Sequence, residues 1–185
     1  MSWDLPYSVT IGDESYSIRN RCDYRVVLGA IKALTDEDYE PRDRIYNALI
    51  VFYEDISKCT DAMAAYDAMA KIIRGGDDRE EPESDNKPQL MDWEYDFKYI
   101  APPVSRVLGY DVRDPERSTH WYSFLGAYME IGECTLATII SIRSKRAKGK
   151  KLEKWEEEFY KNHRKDIILP QKITAVEREI LEGQW

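Results

Sequence analysis

Asp92 and Asp96 stand four residues apart in the stretch MDWEYDFKYI, with Glu94 between them. At helical spacing the two aspartates share a face and Glu94 points elsewhere. Two carboxylates on one face can hold a divalent cation or divide the roles of acid and base. Either task needs further oxygen ligands or a histidine, and none stands nearby. Acids at a helix start also favour the positive end of its dipole, a reading that needs no missing partner. His120 lies close to Ser118 and Ser123. A triad requires an aligned nucleophile, base and orienting acid, and no nucleophile elbow accompanies these residues. Capping or packing is the expected role of His120, and His163, inside KNHRKD, is expected at the surface. The glycines of RGGDD form neither a dinucleotide fingerprint nor a phosphate loop. Cys22, Cys59 and Cys134 are far apart, with no CxxC or His/Cys cluster, so zinc and thioredoxin-type chemistry are not indicated. We expect no catalytic, metal-binding or cofactor-binding residue, and no enzyme.

A basic run, IRSKRAKGKKLEKW, concentrates Arg143, Lys145, Arg146, Lys148, Lys150, Lys151 and Lys154 in an otherwise acidic chain. Such a run can grip phosphates or an acidic partner helix. The plainer reading is a solvated helix end whose cations meet the negative dipole and pair with the glutamates at 156 to 158. Of the two ligands, an acidic protein surface fits better than nucleic acid.

These residues need a scaffold, and its periodicity is mostly helical. Residues 7 to 18 alternate apolar and polar about Gly12-Asp13, which predicts a small β-hairpin. Three helical stripes follow: Tyr24, Val27, Leu28, Ile31 and Leu34 after an Asp23 cap; Ile45, Ala48, Leu49, Phe52 and Ile56 after Pro41; and Met63, Tyr66, Met69, Ala70 and Ile73 before Gly75-Gly76. Residues 75–90 are acidic and almost devoid of apolar side chains, which predicts a flexible linker. A second helical unit is expected over 91–169. In it Pro102 and Pro103 predict a break near residues 100 to 102 and a restart at Pro103. Trp121, Phe124, Leu125, Tyr128 and Met129 form the next stripe, then Leu136, Ile139 and Ile140, then Leu152, Trp155 and Phe159. A short helix is expected in the tail, 170–185. The fold class is thus mainly α: hairpin plus three helices over 1–74, acidic linker, second helical subdomain and tail.

Formal net charge is −8, which argues against general binding to nucleic acid or an anionic membrane surface. No apolar run approaches the roughly 20 residues that span a bilayer. The first residues lack the pattern of a signal peptide, and the scattered cysteines suit a reducing cytoplasm. The Trp121, Phe124 and Tyr128 stripe is read mainly as core; any part left uncovered would suit the capture of another helix.

Taken together, DWEYDFKYI, HWYSFLGAY, and IISIRS following GECT, with SVTIGDESYSI and CDYRVVLGAI near the start, resemble the bacteriophage Gp fifteen family of tailed phages. The resemblance covers most of the chain. It implies an α-helical protein acting in phage tail assembly in the bacterial host cytoplasm, in the manner of a chaperone for the tape-measure protein. The chain departs from the family at Pro102-Pro103, where the family continues a helix, and in a longer tail beyond Pro170. Carried onto this chain, the family blocks mark Trp93, Tyr95, Asp96, Tyr99 and Ile100, then His120, Trp121, Phe124 and Arg143, as residues that hold helices together. The implied partners are the tape-measure protein and other tail-assembly proteins; a second copy of the chain is a further candidate partner, and no cofactor is expected. The alternatives are a structural component kept in the virion, or an enzyme using Asp92 and Asp96 with a metal.

Overall fold

The computed structural model describes residues 4–77 and 88–170. Most of the expected linker and all but the first residue of the expected tail helix lie outside the described residues. The chain is mainly helical behind one small hairpin, β1 (Ser8–Ile11) and β2 (Glu14–Ser17). Val9 faces Tyr16 across the antiparallel pair. Gly12 takes the positive φ, 61°, that the first position of a two-residue loop demands. An isolated hairpin is marginal. This one leans on Tyr53, which Tyr16 meets edge-on at 6.4 Å, and Ser17 accepts the Glu54 amide.

Three helices follow: α1 (Tyr24–Leu34), α2 (Pro41–Phe52) and α3 (Ala62–Ile73). Local chemistry sets their starts. The Asp23 carboxylate accepts the Arg25 amide, Pro41 occupies the first turn of α2, and Asp61 accepts the Ala64 amide. Helices α1 and α2 pack closely: a methyl on Gly29 would lie 3.2 Å from Val51 Cγ1. The buried stripes are rotated from those expected. In α3 they are Ala65, Met69 and Ile72, while Met63 is 61% exposed, and Ile56 lies beyond the end of α2. Small alanines let α3 approach on a face that a count of large apolar residues overlooks.

The remaining helices are α4 (Phe97–Leu108), α5 (Trp121–Met129), α6 (Thr135–Ala147), α7 (Lys154–Asn162) and the one-turn α8 (Arg164–Ile167). Helix α4 runs unbroken through Pro102 and Pro103, which corrects the expected break. The prolines remove donors to the carbonyls of Lys98 and Tyr99. Burial of Ile100, Ala101, Pro103 and Val104 on one face offsets that local cost. Beyond it, α6 buries Ile142 where Ile140 was expected, and α7 buries Glu156 and leaves Trp155 54% exposed.

The described residues fall into two compact units that do not follow chain order. One comprises residues 4–77 and 115–125, the other 88–114 and 126–170. In the first, the 115–125 segment returns to the start of α1: Trp121 donates its amide to Cys22 O at 2.8 Å, and Tyr24 donates to Thr119 O at 2.9 Å. Asp23, the α1 cap, also accepts the Thr119 amide and the Ser118 hydroxyl. The core of the second unit includes Ile139, Ile142 and Ile167, with Tyr99, Leu152, Phe159 and Tyr160 packed against them.

Candidate functional site

The densest polar cluster of the second unit centres on Arg143, one turn from the end of α6. Its guanidinium grips Asp96 bidentately, Nη1 to Oδ2 at 2.6 Å and Nη2 to Oδ1 at 2.9 Å. The other donors reach backbone oxygens: Nε to Ile167 at 2.7 Å, Nη1 to Leu90 at 3.0 Å and Nη2 to Asp166 at 2.7 Å. A guanidinium has five N–H groups, so all are used. Both side chains are buried. The pair ties α6 to the residue before α4, to the loop at Leu90 and to the last carbonyls of α8, where a cation also meets the negative helix end.

Asp96 additionally accepts the Asp92 amide, and Asp92 accepts the amides of Glu94 and Tyr95. These aspartates therefore fold the entry to α4, and Asp96 turns inward to Arg143 instead of sharing an open face with Asp92. Nearby, Lys98 reaches Asp166 at 2.5 Å. That contact raises the Lys98 pKa and lowers that of Asp166.

The aromatic residues divide between the units. In the first, Trp121 stacks on Phe124, and Phe124 on Tyr24 at 4.4 Å; the Trp121 indole N–H donates to Ile73 O. Buried His120 accepts the Tyr122 amide at Nδ1, so Nε2 carries the proton that it donates to Pro6 O at 2.9 Å. In the second unit Trp93 lies against Tyr128, whose hydroxyl reaches Met91 Sδ. Burial raises the Tyr128 pKa, with Asp96 adding to the rise. Tyr99 and Ile100 pack inward. Tyr95 donates its hydroxyl to Lys165 O and lines a shallow depression of about 630 Å³ with Arg164, Lys165, Ile168, Leu169 and Pro170.

The basic run separates into inward and outward members. Arg143 is buried, Lys145 reaches buried Glu156 at 2.6 Å, and Arg146 lies over the Tyr160 ring. The Lys145 contact, reinforced by the Glu153 amide, holds the Glu156 carboxyl below its usual range. Lys148, Lys150 and Lys151 are exposed.

Two features had no counterpart in the sequence reading. Arg19 caps the end of α2 through Ile50, Val51 and Tyr53 carbonyls, at 2.9, 3.1 and 2.7 Å. Asn20, Arg21 and Cys22 all take positive φ, at 48, 56 and 60°. Left-handed conformation costs roughly 1–2 kcal/mol per residue for non-glycine residues. Apart from Asn20, a residue type that tolerates this region, RNRC gives no hint of it.

Large apolar side chains stand out on several helices: Tyr46 and Ile50 on α2, Met63 on α3, Val107 on α4, Met129 on α5 and Trp155 on α7. Met129 is 78% exposed, so the stripe expected along α5 extends to a residue facing solvent. No helix among the described residues is long and apolar enough to cross a membrane.

Residues 1–169 match the family described as Bacteriophage Gp15 protein. The chain belongs to that family. It is thus a bacteriophage protein, and membership supports a structural or assembly role. No curated protein and no solved structure matches it.

Proposed function

We propose that this Gp15-family protein is a non-enzymatic tail-assembly factor that holds segments of the phage tape-measure protein in the host cytoplasm before the tail tube forms around them. The observation carrying this reading is the exposure of Met63 on α3 and Met129 on α5, helices that also bury residues in the protein. Methionine is flexible and polarisable and adapts to varied apolar partners. A long helical client offers many such segments, and several copies bound along one client gain avidity from modest individual contacts. Net charge of −8 keeps the loaded complex dispersed. Arg143, Asp96 and His120 fit this reading as internal ties of the scaffold, because their polar atoms are engaged within the protein.

Co-expression with the tape-measure protein of the same phage tests the proposal. The client is expected to become more soluble and to co-purify; an insoluble client with no co-purification argues against it. Mass spectrometry of purified virions separates a helper from a tail component, since a helper is lost on maturation and a component remains.

A further inference from the structure

Of the acids that follow the cations at the turn between α6 and α7, Glu153 and Glu156 are already engaged within the protein, while Glu157 and Glu158 are exposed. Glu153 is engaged in the capping box of α7 and accepts the Trp155 indole proton; Glu156 is buried against Lys145. Lys148, Lys150, Lys151 and Lys154 are exposed and make no ion pair among the described residues. Residues 146–154 thus carry five cations and one acid; exposed Trp155 follows them, and exposed Glu157 and Glu158 lie beyond it on α7.

The first unit carries the opposite pattern. Residues 36–44 hold five acids and two arginines. On α2, Asp43, Tyr46 and Ile50 share the outer face by their spacing, and Tyr46 is 61% exposed. Glu37 and Glu40 precede that face, exposed like Tyr39. Glu37, Glu40 and Asp43 make no ion pair among the described residues.

We propose that these two surfaces are the halves of a self-association interface. The acidic, tyrosine-bearing face around Asp43 and Tyr46 of one copy docks on the lysine-bearing turn 148–151 of a second copy, with Trp155 following at the start of α7. Aromatic anchors inside a charged rim are the arrangement that concentrates binding energy while charge fixes the register. Chains of like net charge repel one another, so association requires such a local meeting of opposite signs. Each copy carries both halves, and the contact joins unlike patches. It needs no client, so its failure would leave the proposed capture of the tape-measure protein untouched.

Sedimentation velocity on the full chain tests the interface. The mean mass is expected to rise with protein concentration and to fall as salt is added. Glu37→Lys/Glu40→Lys/Asp43→Lys and Lys148→Glu/Lys150→Glu/Lys151→Glu should each weaken association at least about tenfold by placing like charges opposite one another. Circular dichroism of both variants should match the parent, since every altered residue is exposed. Mixing the two variants should restore association, because each then offers what the other lacks. A mass independent of concentration, association indifferent to either charge reversal, or a mixture that stays monomeric would overturn the proposal. So would a monomer whose basic face instead retains duplex DNA in a gel-shift assay.

Discussion

Replacing Arg143 with methionine keeps most of the aliphatic volume in α6 and removes the guanidinium. Five contacts go with it: two to the Asp96 carboxylate and one each to the carbonyls of Leu90, Asp166 and Ile167. The carbonyls alone would lose bonds worth about 0.5–1.5 kcal/mol each. The carboxylate is the larger matter, because removing one partner of a buried pair strands a charge and costs about 3–5 kcal/mol. Against a typical total stability of about 5–15 kcal/mol, Arg143→Met should bring the second unit close to its folding threshold. Urea unfolding read by tryptophan fluorescence, with hydrogen exchange to localise the loss, measures this. Exchange should accelerate in α4, α6 and α8, with α1 to α3 as an internal reference. The companion Asp96→Leu/Arg143→Met removes the stranded charge and should recover part of the loss. A single variant costing less than about 1 kcal/mol, or a double variant worse than the single, would refute the account of this cluster as a buried ion pair.

Pro102 is exposed within α4, so Pro102→Ala should restore a helical hydrogen bond and raise thermal stability, by up to about 3 kcal/mol. Glu156, its carboxyl held low by Lys145, contributes stability that is present above the unfolded pKa and is lost as pH falls through the folded one. Glu156→Gln should therefore flatten the acid limb of an unfolding-against-pH curve. Burial pushes the Cys22 thiol up to about 12, so a thiol-reactive dye should label Cys59 and Cys134 in the native protein and reach Cys22 only after denaturation.

The sequence disclosed what is local. Asp23 and Asp61 cap helices, Pro41 opens one, and Gly12-Asp13 turns the hairpin, because each acts within a few residues of itself. The predicted break at Pro102 failed because a local steric argument met a buried face on the same helix, and the packing prevailed. Trp155 was expected inside and Glu156 outside; Lys145 and the capping box reverse that order by satisfying the carboxylate. Arg143 and Asp96 were each picked out from the family resemblance, but their pairing spans 47 positions and leaves no trace in local spacing. The return of 115–125 to α1 is invisible for the same reason.

That return has a consequence for biosynthesis. The amide of Trp121 and the carboxylate of Asp23 meet partners 99 and 96 positions away in the chain, with the first part of the second unit, 88–114, lying between them in sequence. A nascent polypeptide that has just delivered Ile73 still lacks the indole that will cover its carbonyl. At about 5–20 residues per second, the ribosome leaves this gap open for roughly 2–10 s. During that interval the N-terminal helices are an unfinished shell, open to whatever apolar segment is nearest.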